Sequence, residues 1–186
     1  MFDGSPWNEV TMQANPVRDE LLTSMDASRD ELEGAVSRLG NECLTRPTDL
    51  QGWTGQDHLE HLAAWERSMV FLLQGRPRQE GLGVSEAIYL GHDYDPINEA
   101  IRENTPPRTL DQTIGYLASI HDELRSLVST MNDSDLAQPY AHFLPDEPGQ
   151  SDPGPISNRV RANTSEHYRE HLGYIEIIAG EERTTA

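Results

Sequence analysis

Apolar residues recur at intervals of three and four positions in four separate segments of this chain of 186 residues. This spacing places them on one face of an α-helix, so each segment has an apolar face to bury. In the third segment the apolar positions are Leu110, Ile114, Leu117, Ile120, Leu124 and Val128. The sequence has no period-two strand pattern of useful length. We therefore predict an all-α protein built as a four-helix bundle.

Residues that commonly start or stop helices set the expected bounds of the four segments. The expected helices cover residues at about 17–39, 54–73, 109–131 and 156–180. Gly40 and Asn41 follow the first segment, and such residues usually end a helix. Thr54 precedes the second segment, and Asp57 three positions later completes a capping box. These signals predict four long helices separated by segments rich in proline, glycine and aspartate.

Two of the connections between these helices are long. Residues 76–107 form the second connection, in which only Pro96 to Glu103 predicts a short helix, and a link of this length is usually a lid or a crossover. Residues 138–155 contain too many prolines and glycines for regular structure, so we expect a loop there.

The chain length suits a single domain, with a core at about 17–180 and frayed ends that include the tail "EERTTA".

The charge balance excludes several classes of function. The chain has 32 acidic and 14 basic residues, a formal net charge of -18, which opposes binding to nucleic acid and to anionic membranes. Every basic residue is an arginine, so no lysine amine is present for Schiff-base chemistry.

Cys43 is the single cysteine and cannot form an internal disulfide. With no secretory signal in "MFDGSPWNEV", we expect a cytoplasmic protein.

Three histidines share the predicted inward faces of two helices. His167 and His171 are four positions apart in the fourth segment, which stacks them about 6 Å apart along one helix face. His61 lies on the apolar stripe of the second segment. A buried imidazole without a partner costs about 1–3 kcal/mol. A divalent metal ion would satisfy all three rings and leave a position open for water or substrate.

Other interpretations of these histidines stay open at this point. An i, i+4 pair is more often a pair of surface or hydrogen-bonded core histidines than a metal site. His58 could replace His61 as the ligand, although its place in the first helical turn suits exposure or a supporting role better. The rings could also only pack, as in a structural homodimer. If a metal is bound, zinc and nickel are favoured and iron would also suit three imidazoles.

The remaining histidines and the cysteine give weaker signals. We expect His121 to lie at the edge of the third helix, partly exposed to solvent. His92 and His142 fall in predicted loops, where histidines are usually solvated, although they could close over a pocket. Cys43 is expected to be buried as a small apolar residue.

Two blocks of the sequence resemble a known family. The segments "LQGWTGQDHLEHLAAWERSMVFLL" and "ANTSEHYREHLGYIEII" are similar to the DinB/YfiT-like superfamily, especially its ClbS/DfsB branch. That branch shares G-W-[ST]-x-x-D-x-L-x-H-L-x-x-W-E and N-T-x-x-H-Y-x-E-H. The resemblance implies an up-down-down-up bundle and a divalent metal site, whose ligands fall on His61, His167 and His171. His58 stands where the family usually has an aliphatic residue.

The resemblance also implies a range of activities. Members are similar to thiol-dependent transferases and isomerases, and the ClbS branch includes a resistance protein that opens a strained ring in a genotoxin. We expect a metal-dependent enzyme that acts on a small electrophilic molecule in detoxification, as a hydrolase or a thiol-dependent transferase. Glu66 and His58 are the candidate proton handlers, and Tyr168 and Tyr174 are lesser candidates for substrate contact. The alternative is a non-catalytic protein that binds or sequesters a small molecule.

Overall fold

The computed structural model describes residues 14–46, 48–147 and 152–185, with side chains described as far as Gly180. Ten helices lie in these ranges, and strand structure there is limited to two isolated bridges. In chain order they are α1 (Pro16–Thr45), α2 (Gly55–Leu73), α3 (Arg78–Leu82), α4 (Glu86–Tyr89), α5 (Tyr94–Asn104), α6 (Leu110–Thr130), α7 (Asp133–Leu136), α8 (Tyr140–Phe143), α9 (Ile156–Ala162) and α10 (Ser165–Thr185). Residues 1–13, with most of the expected frayed start, lie outside the described residues.

Four long helices form the bundle that the periodicity predicts. Helix α2 packs on α6 and α1 packs on α10, while α1 also contacts α6 and α2 also contacts α10. Their apolar faces bury two clusters, one around Met25, Met69 and Leu124 and the other around Leu62 and Leu117. Burial of these side chains is the main favourable contribution to folding. The all-α four-helix bundle is confirmed, and the up-down-down-up order of helix directions stays a prediction.

Helix α2 carries the central part of the site, and its start is held by a capping box. The Thr54 hydroxyl accepts a hydrogen bond from the Asp57 amide, and the Asp57 carboxylate accepts one from the Thr54 amide. This arrangement satisfies two amides that a helix start otherwise leaves unpaired. The predicted cap is therefore confirmed, and it sets the direction of the side chains that follow.

The first and last bundle helices differ from their expected bounds. Helix α1 is interrupted at Gly40, where a helix end was predicted, since this residue has a φ of +78°, but helical structure resumes and continues as far as Thr45. Glycine permits this conformation because it has no Cβ atom. The expected fourth helix is two helices, because helix α9 ends at Ala162 and helix α10 begins at Ser165. The final helix also extends to Thr185, where a frayed tail was expected.

The long second connection is largely helical, whereas only a short helix at Pro96 to Glu103 was expected, and that helix is confirmed within α5. It contains α3, α4 and α5, which cover Trp65 of α2 with a third apolar cluster that includes Leu82 and Ile97. Gly81 lets α3 approach α2 closely, since a Cβ atom there would lie 2.7 Å from the Ser68 Cα atom. The predicted loop at 138–155 likewise contains α8. Among the residues described, no helix is both long enough and apolar enough to cross a lipid bilayer.

Candidate metal centre

The structure brings His61, His167 and His171 together between α2 and α10. One ring nitrogen from each lies within 4.8 Å of the other two. The Nε2 atoms of His61 and His167 are 3.2 Å apart. Two nitrogens bound to one tetrahedral zinc ion at about 2.0–2.1 Å would be separated by about 3.4 Å. The spacing of these two atoms is therefore close to that of two ligands of a single ion.

The helix geometry explains why the rings meet. His167 and His171 are one turn apart on α10, and their ring centroids are 4.6 Å apart. The break between α9 and α10 fixes the start of that turn, because the Tyr168 amide donates to the Thr164 carbonyl. His61 faces α10 from the middle of α2, with its ring centroid 4.6 Å from that of His171.

Burial keeps the three rings neutral near pH 7. Burial lowers the pKa of His61 well below its usual 6.5, and the neighbouring histidines add to this effect. Burial likewise lowers the pKa of His167 to about 4. The pKa of His171 falls to about 2 through burial and through the repulsion that its protonated ring would meet from protonated His167 and His58. Neutral imidazole is the form that binds a metal, so the rings are in the ligating state.

The donor set fits a divalent transition metal. Within the described residues, the Nδ1 atoms of His61 and His167 are buried without a hydrogen-bond partner. They lie on the opposite side of each ring from the facing Nε2 atoms, so they can donate to water while the Nε2 atoms bind an ion. Imidazole ligands suit zinc, nickel and iron, the metals that the sequence analysis named.

His58 lies behind the three rings and contacts one of them. Its Nδ1 atom is 2.8 Å from the Nδ1 atom of His171. On its other side, the Asp49 carboxylate lies against the His58 Nε2 atom, with Oδ2 at 3.3 Å. Burial lowers the pKa of His58, and the Asp49 carboxylate opposes that shift. The first helical turn suggested either exposure or a supporting role for His58. Its burial rules out exposure, and a supporting position beside His171 remains.

Glu66 is placed away from the three histidines. It is fully buried, accepts a hydrogen bond from the Tyr168 hydroxyl, and lies 2.9 Å from the Nδ1 atom of His121. The expected partial exposure of His121 is therefore wrong, since only 4% of it is accessible. The signal was present in the sequence, because position 121 shares a helical stripe with Leu117 and Leu124. These polar groups form a network inside the bundle core.

Two cavities open onto the histidines. The first has a volume of about 710 Å³ and is lined by His61, His167, Trp65, Arg78, Tyr89 and His92, among others. The second has a volume of about 900 Å³ and is lined by His58, His61, His167, His171, Trp53 and Tyr174, among others. The half-exposed Tyr174 can therefore meet a ligand, whereas Tyr168 is buried against Glu66.

The structure also locates the other residues that the sequence singled out, and two that it did not. His142 is exposed in α8, and Cys43 is half-buried rather than fully buried. Arg78 and Tyr89 come from the second connection, where sequence reasoning named only His92 as a residue that could close over a pocket. No periodic pattern marks them, so their position depends on how that connection folds over α2.

Comparison with known proteins agrees with this architecture. A crystal structure of an uncharacterised protein from Escherichia coli UTI89 shares 14% identity and a TM-score of 0.66, covering 89% of this chain and 94% of that one. The colibactin self-resistance protein ClbS, solved in complex with double-stranded DNA, shares 12% identity and a TM-score of 0.66, covering 90% and 97%. A protein from Streptococcus pneumoniae shares 12% identity and a TM-score of 0.68, covering 90% and 92%.

At these identities the likeness concerns the fold alone. No curated protein matches the sequence. The family model of the DinB superfamily matches residues 24–175, which is most of the chain and includes His61, His167 and His171. The chain therefore belongs to the DinB superfamily.

Proposed function

We propose that this protein is a metal-dependent enzyme that acts on a small electrophilic molecule. His61, His167 and His171 would hold a divalent ion, with zinc or nickel favoured and iron also suitable. The observation that carries the proposal is the convergence of three neutral imidazoles within 4.8 Å at the meeting point of two cavities. A purely structural cluster would have no need of open space on both sides.

A bound ion would polarise an electrophile and lower the pKa of bound water or thiol. The chain's own groups would then bind and orient the substrate. Trp65 and Tyr94 line the first cavity with ring centroids 5.9 Å apart, which suits an apolar or unsaturated ligand. Hydrolysis and thiol transfer are the reactions that we propose for this site, in a detoxification or resistance role. The similar fold of ClbS, a colibactin self-resistance protein, supports that context.

The geometry assigns the two candidate proton handlers different positions. His58 lines the second cavity and touches His171, so we propose that it orients that ring. Glu66 lines neither cavity at the histidines, and its bonds to His121 and Tyr168 favour a structural role. Glu170 lines both cavities and is exposed, so it is a further carboxylate within reach of a ligand there.

Nucleic acid is not part of this proposal, although ClbS was solved with DNA. The net charge of -18 opposes contact with a phosphate backbone, and a DNA-binding surface would need clustered basic residues. A small molecule remains the proposed partner, and a homodimer stays an expectation from the sequence.

Elemental analysis of protein purified without a histidine tag tests the proposal. We expect one equivalent of a divalent ion, and we expect His61→Ala to lose it. His142→Ala is the matched control, because His142 is exposed and is not among the residues that line the two cavities at the histidines. Wild-type protein that holds no stoichiometric ion after reloading with zinc, nickel or iron would exclude the metal-dependent enzyme.

The second candidate function is binding or sequestration of a small molecule without chemistry. The aromatic walls and the volume of about 710 Å³ favour it, since ligand sites typically have this size and lining. The two functions differ in their need for the metal. Retained protection against a toxic ligand by a metal-free His61→Ala protein would favour sequestration, and loss of protection together with the metal would favour catalysis.

A further inference from the structure

Arg78 is a buried cation on the wall of the first cavity. Only 3% of the residue is accessible to solvent, and it forms no ion pair with a carboxylate among the described residues. Other arginines with low exposure are paired, such as Arg29 with Glu33 and Arg108 with Glu60. A buried charge is normally compensated by an opposite charge, because desolvation strongly disfavours an isolated ion.

The hydrogen bonds of Arg78 leave one side of its guanidinium group free. Nη2 donates to Ser68 Oγ at 2.8 Å and to Asn163 Oδ1 at 3.2 Å, and Nε donates to Ser68 Oγ at 3.3 Å. All of these acceptors are neutral. Within the described residues, Nη1 has no hydrogen-bond partner, and the residue lines the cavity. The guanidinium carbon also lies 5.6 Å from the ring of Trp65, which helps to hold the group in place.

A second donor without a partner lines the same cavity. Among the residues that the structure describes, the buried Tyr89 hydroxyl makes no hydrogen bond, although Tyr140 and Glu147 lie near it. Arg78 is close enough to Tyr89 to influence its pKa, so the two groups are neighbours. Together they offer a cationic donor and a neutral hydroxyl donor to one ligand group.

The other charged groups of this cavity do not neutralise Arg78. Asp152 is paired with Arg159 at 3.0 Å, and Glu170 is exposed to solvent and accepts from the Tyr174 hydroxyl. The histidines His61 and His167 contribute no charge in their neutral form. Within the described residues, neither of these two carboxylates is therefore a partner of Arg78.

We infer that Arg78 and Tyr89 form a subsite for a carboxylate group of the substrate, in the same cavity as His61 and His167. The free Nη1 group and the Tyr89 hydroxyl match the two oxygens of a carboxylate. A phosphate dianion would need more donors than these two groups offer. The identification of the ligand as a substrate rests on the proposed function, whereas binding of the carboxylate itself requires no metal.

Binding of benzoate to metal-free protein at about pH 8, where the histidines are neutral, tests this subsite. The aromatic ring of the probe suits the wall formed by Trp65 and Tyr94, and the signal of the Arg78 Nε–H group in NMR spectra reports contact. We expect benzoate to shift that signal and benzamide, its neutral analogue, to leave it unchanged. Equal binding of benzoate and benzamide would overturn the subsite.

Variants separate the subsite from general folding effects. We expect Arg78→Gln to weaken benzoate binding about tenfold or more, measured by calorimetry, because a charge-assisted hydrogen bond is lost. Tyr89→Phe keeps the ring in place and should weaken binding by a smaller factor, so it tests the subsite even if Arg78→Gln fails to fold. Arg76→Gln is the matched control, since Arg76 is exposed and stacks on Phe71, and it should bind benzoate as the wild type does.

The outcomes distinguish this inference from the proposed function. Unchanged benzoate affinity in both Arg78→Gln and Tyr89→Phe would overturn the subsite. Tighter binding of phenyl phosphate than of benzoate, with the same dependence on Arg78, would overturn the assignment to a carboxylate. Wild-type protein that never holds a metal but binds benzoate through Arg78 would overturn the proposed enzyme and support the subsite.

Discussion

The Nδ1 atoms of His58 and His171 lie 2.8 Å apart between α2 and α10. One of these nitrogens is therefore protonated and donates a hydrogen bond to the other. The Asp49 carboxylate near the far side of His58 favours a proton on the His58 Nε2 atom. We therefore assign the donor role to the His171 Nδ1 atom. That tautomer leaves the Nε2 atom of His171 unprotonated and able to bind a metal ion.

The first prediction concerns metal affinity in a His58→Phe variant. Phenylalanine fills a similar volume but cannot accept the proton of His171, so we expect zinc affinity to fall about 10–100-fold. Competition with a chromogenic chelator measures this change. His142→Phe is the control and should bind zinc as the wild type does. Equal zinc affinity in His58→Phe and wild type would show that His58 does not orient the His171 ring.

The second prediction concerns the buried network around Glu66. Tyr168→Phe removes the hydroxyl that donates to this carboxylate, so we expect the free energy of unfolding to fall by about 1–3 kcal/mol. Urea denaturation measures the change, and metal content should stay at the wild-type level. Tyr174→Phe serves as the control, with an effect within about 0.5 kcal/mol because that hydroxyl is exposed. A stable Tyr168→Phe protein that loses its metal would contradict the structural role.

Helical periodicity made part of the site predictable from sequence. A helix fixes the direction of each side chain, so the shared inward face of His61, His167 and His171 could be expected from their positions relative to apolar residues. The same rule explains the different position of Glu66. It follows Trp65 by one residue, which rotates it about 100° around α2, away from the cavity and into the core.

Other parts of the site depend on tertiary contacts that no local pattern encodes. Arg78 and Tyr89 reach the cavity because α3 and α4 fold over α2, a path that the mixed polar sequence of the connection does not specify. The break at Asn163 was also missed, since asparagine and threonine occur within helices as well as at their ends. Here the tertiary structure, rather than local propensity, decides the conformation.

The third prediction concerns stability as a function of pH in the metal-free protein. Burial holds the pKa of His167 at about 4 and that of His61 well below 6.5, whereas both would titrate near 6.5 in the unfolded chain. Below about pH 6.5 the unfolded chain therefore takes up protons that the folded protein does not. The free energy of unfolding is greatest above this pH and should fall by up to about 1.4 kcal/mol per pH unit for each such histidine.

Urea unfolding at about pH 7.5 and about pH 5.5 checks this expectation, in a range where most carboxylates stay ionised. His142→Gln should keep the full pH dependence because His142 is exposed. His167→Gln should reduce the slope, since one buried titrating group is removed. A free energy of unfolding that is the same at both pH values would mean that these rings are not buried in neutral form.

The last prediction concerns Gly81, which sets how closely the Arg78-bearing helix α3 approaches α2. A Cβ atom at this position would meet the Ser68 Cα atom at 2.7 Å and the Arg67 carbonyl oxygen at 3.0 Å, and backbone atoms cannot move aside easily. We expect Gly81→Ala to lower the free energy of unfolding by about 1–3 kcal/mol, as overpacking does, and to weaken benzoate binding by displacing Arg78.

Gly173→Ala is the matched control, because Gly173 is an exposed helical glycine with no atom within 4 Å of the added group. Alanine should stabilise that helix by up to about 1 kcal/mol. If thermal and urea unfolding show Gly81→Ala to be as stable as Gly173→Ala, then α3 does not pack on α2 as closely as the structure has it, and the position of Arg78 loses its support.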